Sequence, residues 1–166
     1  MSELINLDIP GIKAHQQNRH PLLFIDKIVD TKPGKEANSV KCFSYNEWFF
    51  PAHFEDEPSV PGFILVESMA QTFLMTFLTI EEHKGKVAVG REINNVKLKK
   101  MIIPGDTLKI KALLHSFKRG IAKGSVEGFV DGSLACQAEF IVCLPDVLSG
   151  LKHKTKLSWL QTLQVH

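Results

Sequence analysis

Two periodicities divide the chain. Leu108, Ile110, Ala112 and Leu114 alternate with Thr107, Lys109 and Lys111, and Leu134, Cys136, Ala138, Phe140, Val142 and Leu144 repeat the pattern. A period of two puts one face of a strand on a core. Shorter apolar runs at 22–30 (LLFIDKIVD) and 34–44 (GKEANSVKCFS), separated by Pro33-Gly34, predict two earlier strands. Stretches 86–98, 106–117, 120–131 and 133–144 predict four more, with turns at Pro104-Gly105-Asp106, Lys118-Arg119-Gly120 and Asp131-Gly132. Between the two groups, Pro61-Gly62 opens FILVESMAQTFLMTFLTIEEHKG, enough for about five helical turns with Gly85 as the stop. On a helical wheel Phe63, Val66, Met69, Ala70, Phe73, Leu74, Phe77 and Ile80 share one broad face, while Ser68, Thr72, Thr76 and Thr79 fill the adjoining arc. Ile64, Leu65, Met75 and Leu78 make even that side partly apolar, so the helix is packed nearly all round. The order strand, strand, long helix, four-strand meander predicts an α+β fold in which an antiparallel sheet wraps one long central helix.

Length supports that economy. At 166 residues the chain fits one domain, placed at 1–148, with a Lys-rich tail at 149–166 whose LSWLQTL predicts a short docking helix. A formal charge of +2 is close to balance and argues against a strongly basic nucleic-acid binder. Cys42, Cys136 and Cys143 lack metal-ligand spacing and read as reduced thiols of a cytoplasmic protein. No HExxH or similar pair of histidines suggests a metal, and no cofactor is expected. The N-terminus lacks the charged and apolar regions of a secretory signal. The oily stretch 63–80 is interrupted by Glu67, Ser68, Gln71 and threonines, so no membrane span is expected.

Candidate chemistry lies in FFPAHFEDEPSVPGFILVESMAQ, residues 49–71. His53 sits among aromatics and can serve as a base near neutral pH. Glu67 stands in the second helical turn among Phe63, Ile64, Leu65, Val66, Met69 and Ala70, where a carboxylate needs a partner. Gly62 opens the helix, and free first-turn amides polarise a carbonyl or hold an oxyanion. These residues alone leave two readings open, an acid–base site or a core with satisfied polar groups.

The same stretch resembles the signature of the 3-hydroxyacyl-[acyl-carrier-protein] dehydratases, the FabZ/FabA-like hotdog-fold enzymes of fatty acid synthesis. Their F-x-G-H-F-P-x-x-P-x-x-P-G, followed by an acidic residue and A-x-A-Q, is matched by Phe50, His53, Phe54, Pro58, Pro61, Gly62, Glu67, Met69-Ala70 and Gln71. NRHPLLFIDKIVD resembles the family's H-R-Y-P-F-L-L-V-D-R segment through Arg19, Pro21 and Asp26, and VKLKKMIIPGD resembles the stretch before its third strand. The likeness spans roughly residues 18 to 144. The chain departs from the signature at Ala52, where the family has glycine, and at Glu55, where it has proline.

The resemblance implies a hotdog fold and dehydration of a (3R)-3-hydroxyacyl thioester to the trans-2-enoyl thioester. His53 and Glu67 become the catalytic pair, with Glu67 pointing to the broad dehydratase branch. Gly62 would hold the thioester carbonyl, and Phe50, Phe54, Phe63, Met69 and Phe73 would line an acyl tunnel. It further implies a homodimer, or a hexamer made of three, with His53 of one subunit facing Glu67 of the other. The implied partner is acyl carrier protein, an acidic domain, for which Arg91, Lys97, Lys99, Lys100, Lys118 and Arg119 offer a basic landing patch. The alternative is a thioesterase-like or catalytically silent hotdog protein that binds acyl thioesters.

Overall fold

The computed structural model describes residues 4–148, so the tail at 149–166 lies outside the described residues. Seven strands and two helices follow the order β1 (Ile5–Leu7), α1 (Ile9–His15), β2 (Lys27–Lys32), β3 (Glu36–Cys42), α2 (Gly62–Leu78), β4 (Val89–Leu98), β5 (Thr107–Lys118), β6 (Ile121–Val130) and β7 (Ser133–Cys143). All strand pairs are antiparallel and form one sheet in the order β1-β2-β3-β5-β6-β7-β4. The sheet wraps α2, giving the expected α+β hotdog arrangement.

Connection length explains the topology. Arg119-Gly120 and Asp131-Gly132 both take positive φ at each turn residue (51° and 77°, 51° and 76°). Such two-residue turns suit the twist of a hairpin and hold β5, β6 and β7 side by side. The expected four-strand meander is therefore three strands long. β4 instead pairs with β7 at the far edge. It reaches β5 through the connection 99–106, which has ample length to cross three strand spacings of about 4.8 Å each.

Two further elements depart from the sequence reading. Residues 22–25 are not strand, because the Gln71 side chain takes up the Leu22 carbonyl and the Phe24 amide; contact with β3 starts at Asp26, whose amide donates to the Val40 carbonyl (2.8 Å). The short helix α1 was not anticipated, although Asp8 accepts a hydrogen bond from the Gly11 amide (3.0 Å) and Pro10 sits in the first turn. That is an ordinary start signal.

Packing of α2 sets the core. Ile64, Met69, Phe73 and Phe77 meet Leu108, Ile110, Ala112, Val126 and Phe140 from the sheet. The Phe73 ring lies over Gly124, where a Cβ would stand 2.3 Å from Cε2, so only glycine fits beneath it. The helix ends at Leu78, earlier than Gly85 suggested, and a short 3-10 turn at Glu81–His83 follows. Ser68, Thr72, Thr76 and Thr79 are buried, their hydroxyls donating to carbonyls one turn back (2.7–2.8 Å) and Thr72 meeting Ser39 of β3 at 2.6 Å. What stays partly or largely exposed is a narrow stripe of Phe63, Val66, Glu67, Ala70 and Leu74. Every residue of β4 is exposed as well.

Candidate active site

His53 closes a 3-10 turn, Phe50–Ala52, that the aromatic pair Phe49 and Phe50 roots in the core. Its Nδ1 donates to the Ser59 carbonyl at 2.9 Å, with the Ser59 hydroxyl 3.3 Å away. A carbonyl only accepts, so Nδ1 carries the proton and Nε2 presents its lone pair. The residue next to Ser59 ties this loop to the strand connection, Val60 donating to the Ile102 carbonyl at 2.8 Å. Gly62 then begins α2. Its amide and that of Phe63 precede any intrahelical acceptor. A Cβ on Gly62 would stand 2.6 Å from Leu98 Cδ1, so the helix start lies against the side chain that ends β4.

The signature's two departures become intelligible here. Ala52 sits in the right-handed 3-10 turn, and the left-handed residue of the loop is Phe54 (φ 60°). Alanine at 52 is therefore unstrained. Glu55 is exposed, its charge in water.

Glu67, one helical turn beyond, is held by two amides. Asn18 Nδ2 and Gln71 Nε2 donate to its Oε1 at 3.1 Å and 2.8 Å. Among the described residues Oε2 has no hydrogen bond and is left for another group. Gln71 is itself fully committed: its Oε1 accepts from the Phe24 amide (2.9 Å) and its Nε2 also donates to the Leu22 carbonyl (2.7 Å). The amide orientation is thereby fixed. Asn18 was missed in the sequence, since a contact spanning 49 residues leaves no local pattern. Its only signal is its place just before Arg19, where the family segment has histidine.

No hydrogen bond joins His53 to Glu67 within one chain. Glu67 belongs to the uncovered stripe of α2, and His53 is anchored in the loop that precedes the helix. The aromatic candidates divide likewise: Phe50, Met69 and Phe73 are wholly buried core, whereas Phe54 and Phe63 are each 62 % exposed. Two surface depressions, about 680 Å³ beside Lys32 and Leu113 and about 560 Å³ between Tyr45, Pro58, Met101 and Ile103, include neither His53 nor Glu67. The basic candidates form two groups. Lys97, Lys99 and Lys100 lie where β4 ends, the last two donating their backbone amides to the Ala135 carbonyl (2.7 and 3.2 Å), on the side of the His53 loop. Arg91, Lys118 and Arg119 lie at the other end of the strands, where Ile121 and Val89 both pair with Cys143.

A family model described as a FabA-like domain matches residues 17–139. The chain belongs to the FabA-like dehydratase family. It is 38% identical over 143 residues to the 3-hydroxyacyl-[acyl-carrier-protein] dehydratase FabZ of Acetivibrio thermocellus, covering 86% of this chain and 96% of that protein. Against the protein of the same name from Roseiflexus castenholzii, identity is 38% over 138 residues, 83% and 96% of the two chains. Among solved structures, a chain of the dehydratase heterocomplex ApeI:P from Xenorhabdus doucetiae superposes with a TM-score of 0.72 at 12% identity, covering 93% and 97% of the respective chains. That likeness concerns the fold. No helix among the described residues is long and apolar enough to cross a membrane.

Proposed function

We propose that this protein is a hydro-lyase that converts (3R)-3-hydroxyacyl-[acyl-carrier-protein] to the trans-2-enoyl thioester, with His53 and Glu67 as its acid–base pair. The observation that carries the assignment of roles is the His53–Ser59 bond, which supports the tautomer that leaves Nε2 free to act as a base, in the loop leading to the helix start at Gly62. His53 Nε2 takes the C2 proton, and the C2–H electrons become the new double bond as the C3–O bond breaks. The leaving oxygen takes a proton from Glu67 Oε2 and departs as water. Proton return from the imidazolium to Glu67 resets the site. The Gly62 amide, at the positive end of α2, binds the thioester carbonyl as charge builds on its oxygen. Of the apolar candidates, the exposed Phe54 and Phe63 line the start of the acyl path, while Phe50, Met69 and Phe73 belong to the core.

The site is completed by a second copy. The stripe Phe63-Val66-Ala70-Leu74 and the free edge of β4 are the two apolar or unpaired surfaces that a twin helix and a twin strand would cover. In that homodimer, or a hexamer built from it, His53 faces the twin's Glu67. Antiparallel pairing of β4 with its copy also sets Arg91, Lys118 and Arg119 of one subunit toward Lys97, Lys99 and Lys100 of the other. Two separate basic groups then form one surface for the acidic carrier protein. The reaction belongs to cytoplasmic acyl-chain synthesis.

Mass spectrometry of (3R)-3-hydroxyacyl-carrier proteins of several chain lengths, incubated with the wild type, His53→Ala and Glu67→Gln, tests this reading. Loss of one water with the wild type alone is expected. Equal turnover by either variant removes that residue from the mechanism, and no turnover at any length by an intact wild type removes the activity.

A further inference from the structure

Lys41 is a buried cation with no part in the chemistry above. Only 5 % of the residue is exposed, so an unpaired ammonium there would be costly. It is paired twice, with Glu47 Oε1 at 2.5 Å and with Asp26 Oδ1 at 3.5 Å, and it lies over the Phe43 ring at 5.5 Å from the centroid. Each partner is fixed in turn. Asp26 accepts from the Cys42 amide through Oδ2 (2.7 Å) and donates its own amide to the Val40 carbonyl (2.8 Å). Glu47 starts the turn that delivers the histidine: its carbonyl accepts from the Phe50 amide, and the Phe50 carbonyl accepts from the His53 amide, both at 3.3 Å.

The segment containing Asp26 also reaches the other half of the site, because Gln71 grips Leu22 and Phe24 while donating to Glu67. One ionic cluster therefore stands between the loop that carries His53 and the frame that orients Glu67. We propose that Lys41, acting through Glu47, is a positioning residue that sets where His53 stands relative to Glu67. The inference rests on the acid–base reading of those two residues. Lys41 touches no reacting atom; its effect is on the placement of the turn, and a displacement of about 1 Å at a reacting group costs up to about 100-fold in rate.

Glu47→Gln is the decisive variant, since the side chain is only partly buried and the change is nearly isosteric. Steady-state kinetics of the full chain on a 3-hydroxyacyl-carrier protein should show kcat lowered about 10- to 100-fold, with KM within about twofold. Lys41→Met should cost as much, the double variant no more than Lys41→Met alone, and Lys41→Arg should restore part of the loss. An unchanged kcat in Glu47→Gln, additive losses in the double variant, or losses that merely follow the unfolded fraction would overturn the proposal. If the wild type itself does not release water, the proposed function fails on its own account. The imidazole nitrogen NMR shifts of His53 still decide the positioning role: a change in Glu47→Gln supports it, and identical shifts sink it.

Discussion

Beside the apolar face that packs on the sheet, two stripes of α2 invert the usual rule. Ser68, Thr72, Thr76 and Thr79 are buried against the sheet, while apolar Phe63, Val66, Ala70 and Leu74 are left partly or largely uncovered. Hydroxyls can be buried because each finds a carbonyl one turn back, and their small size lets the helix approach β3 closely. The apolar stripe has no such internal solution. Burial of these two stripes thus follows from what each can be paired with, not from its polarity.

Charging the stripe breaks the contrast most severely. Ala70→Arg should leave the fold intact by circular dichroism, yet abolish the dimer in sedimentation and bring turnover to background. A fully active variant would refute the shared site. The buried face can be probed more gently with Thr72→Val, which keeps the shape but strands the Ser39 hydroxyl. The expected cost is about 1–2 kcal/mol of unfolding free energy in urea, and Ser39→Ala in the same chain should recover part of it. The smallest effect belongs to an exposed polar pair, Lys32 and Glu36, 2.6 Å apart at the tip of the β2–β3 hairpin. Hydrogen bonding to Lys32 holds the Glu36 carboxyl below its ordinary range. Its contribution is present above the unfolded carboxylate pKa and is lost as pH falls through the lower folded value. The difference between wild type and Glu36→Gln in thermal melts should therefore shrink on acidification, and moderate salt should nearly erase it.

How much of this was legible in the sequence depends on range. Period-two alternation located the strands that form β5 and β7, and Pro61-Gly62 marked the first turn of α2. His53, Glu67 and Gly62 stood out because residue types that need partners sat in an oily stretch. What stayed hidden was long-range. The meander was overextended because tight turns and an eight-residue connection look alike until lengths are compared with strand spacing. Residues 22–25 have strand composition, yet Gln71, far along the chain, takes up the Leu22 carbonyl and the Phe24 amide. Asn18 and Lys41 gain their meaning only from contacts that the fold creates. The wheel likewise grouped Phe73 with Leu74, although the sheet covers the first and leaves the second partly open.

The placement of β4 has a consequence in time. On the ribosome this strand emerges before β5, β6 and β7, but its partner residues in β7 are made 38 to 54 residues later, a wait of roughly 2–11 s at ordinary synthesis rates. Throughout that interval a ten-residue strand lacks β7, the strand it pairs with. The nascent chain is then most open to pairing with the wrong partner, including a second nascent copy on the same message.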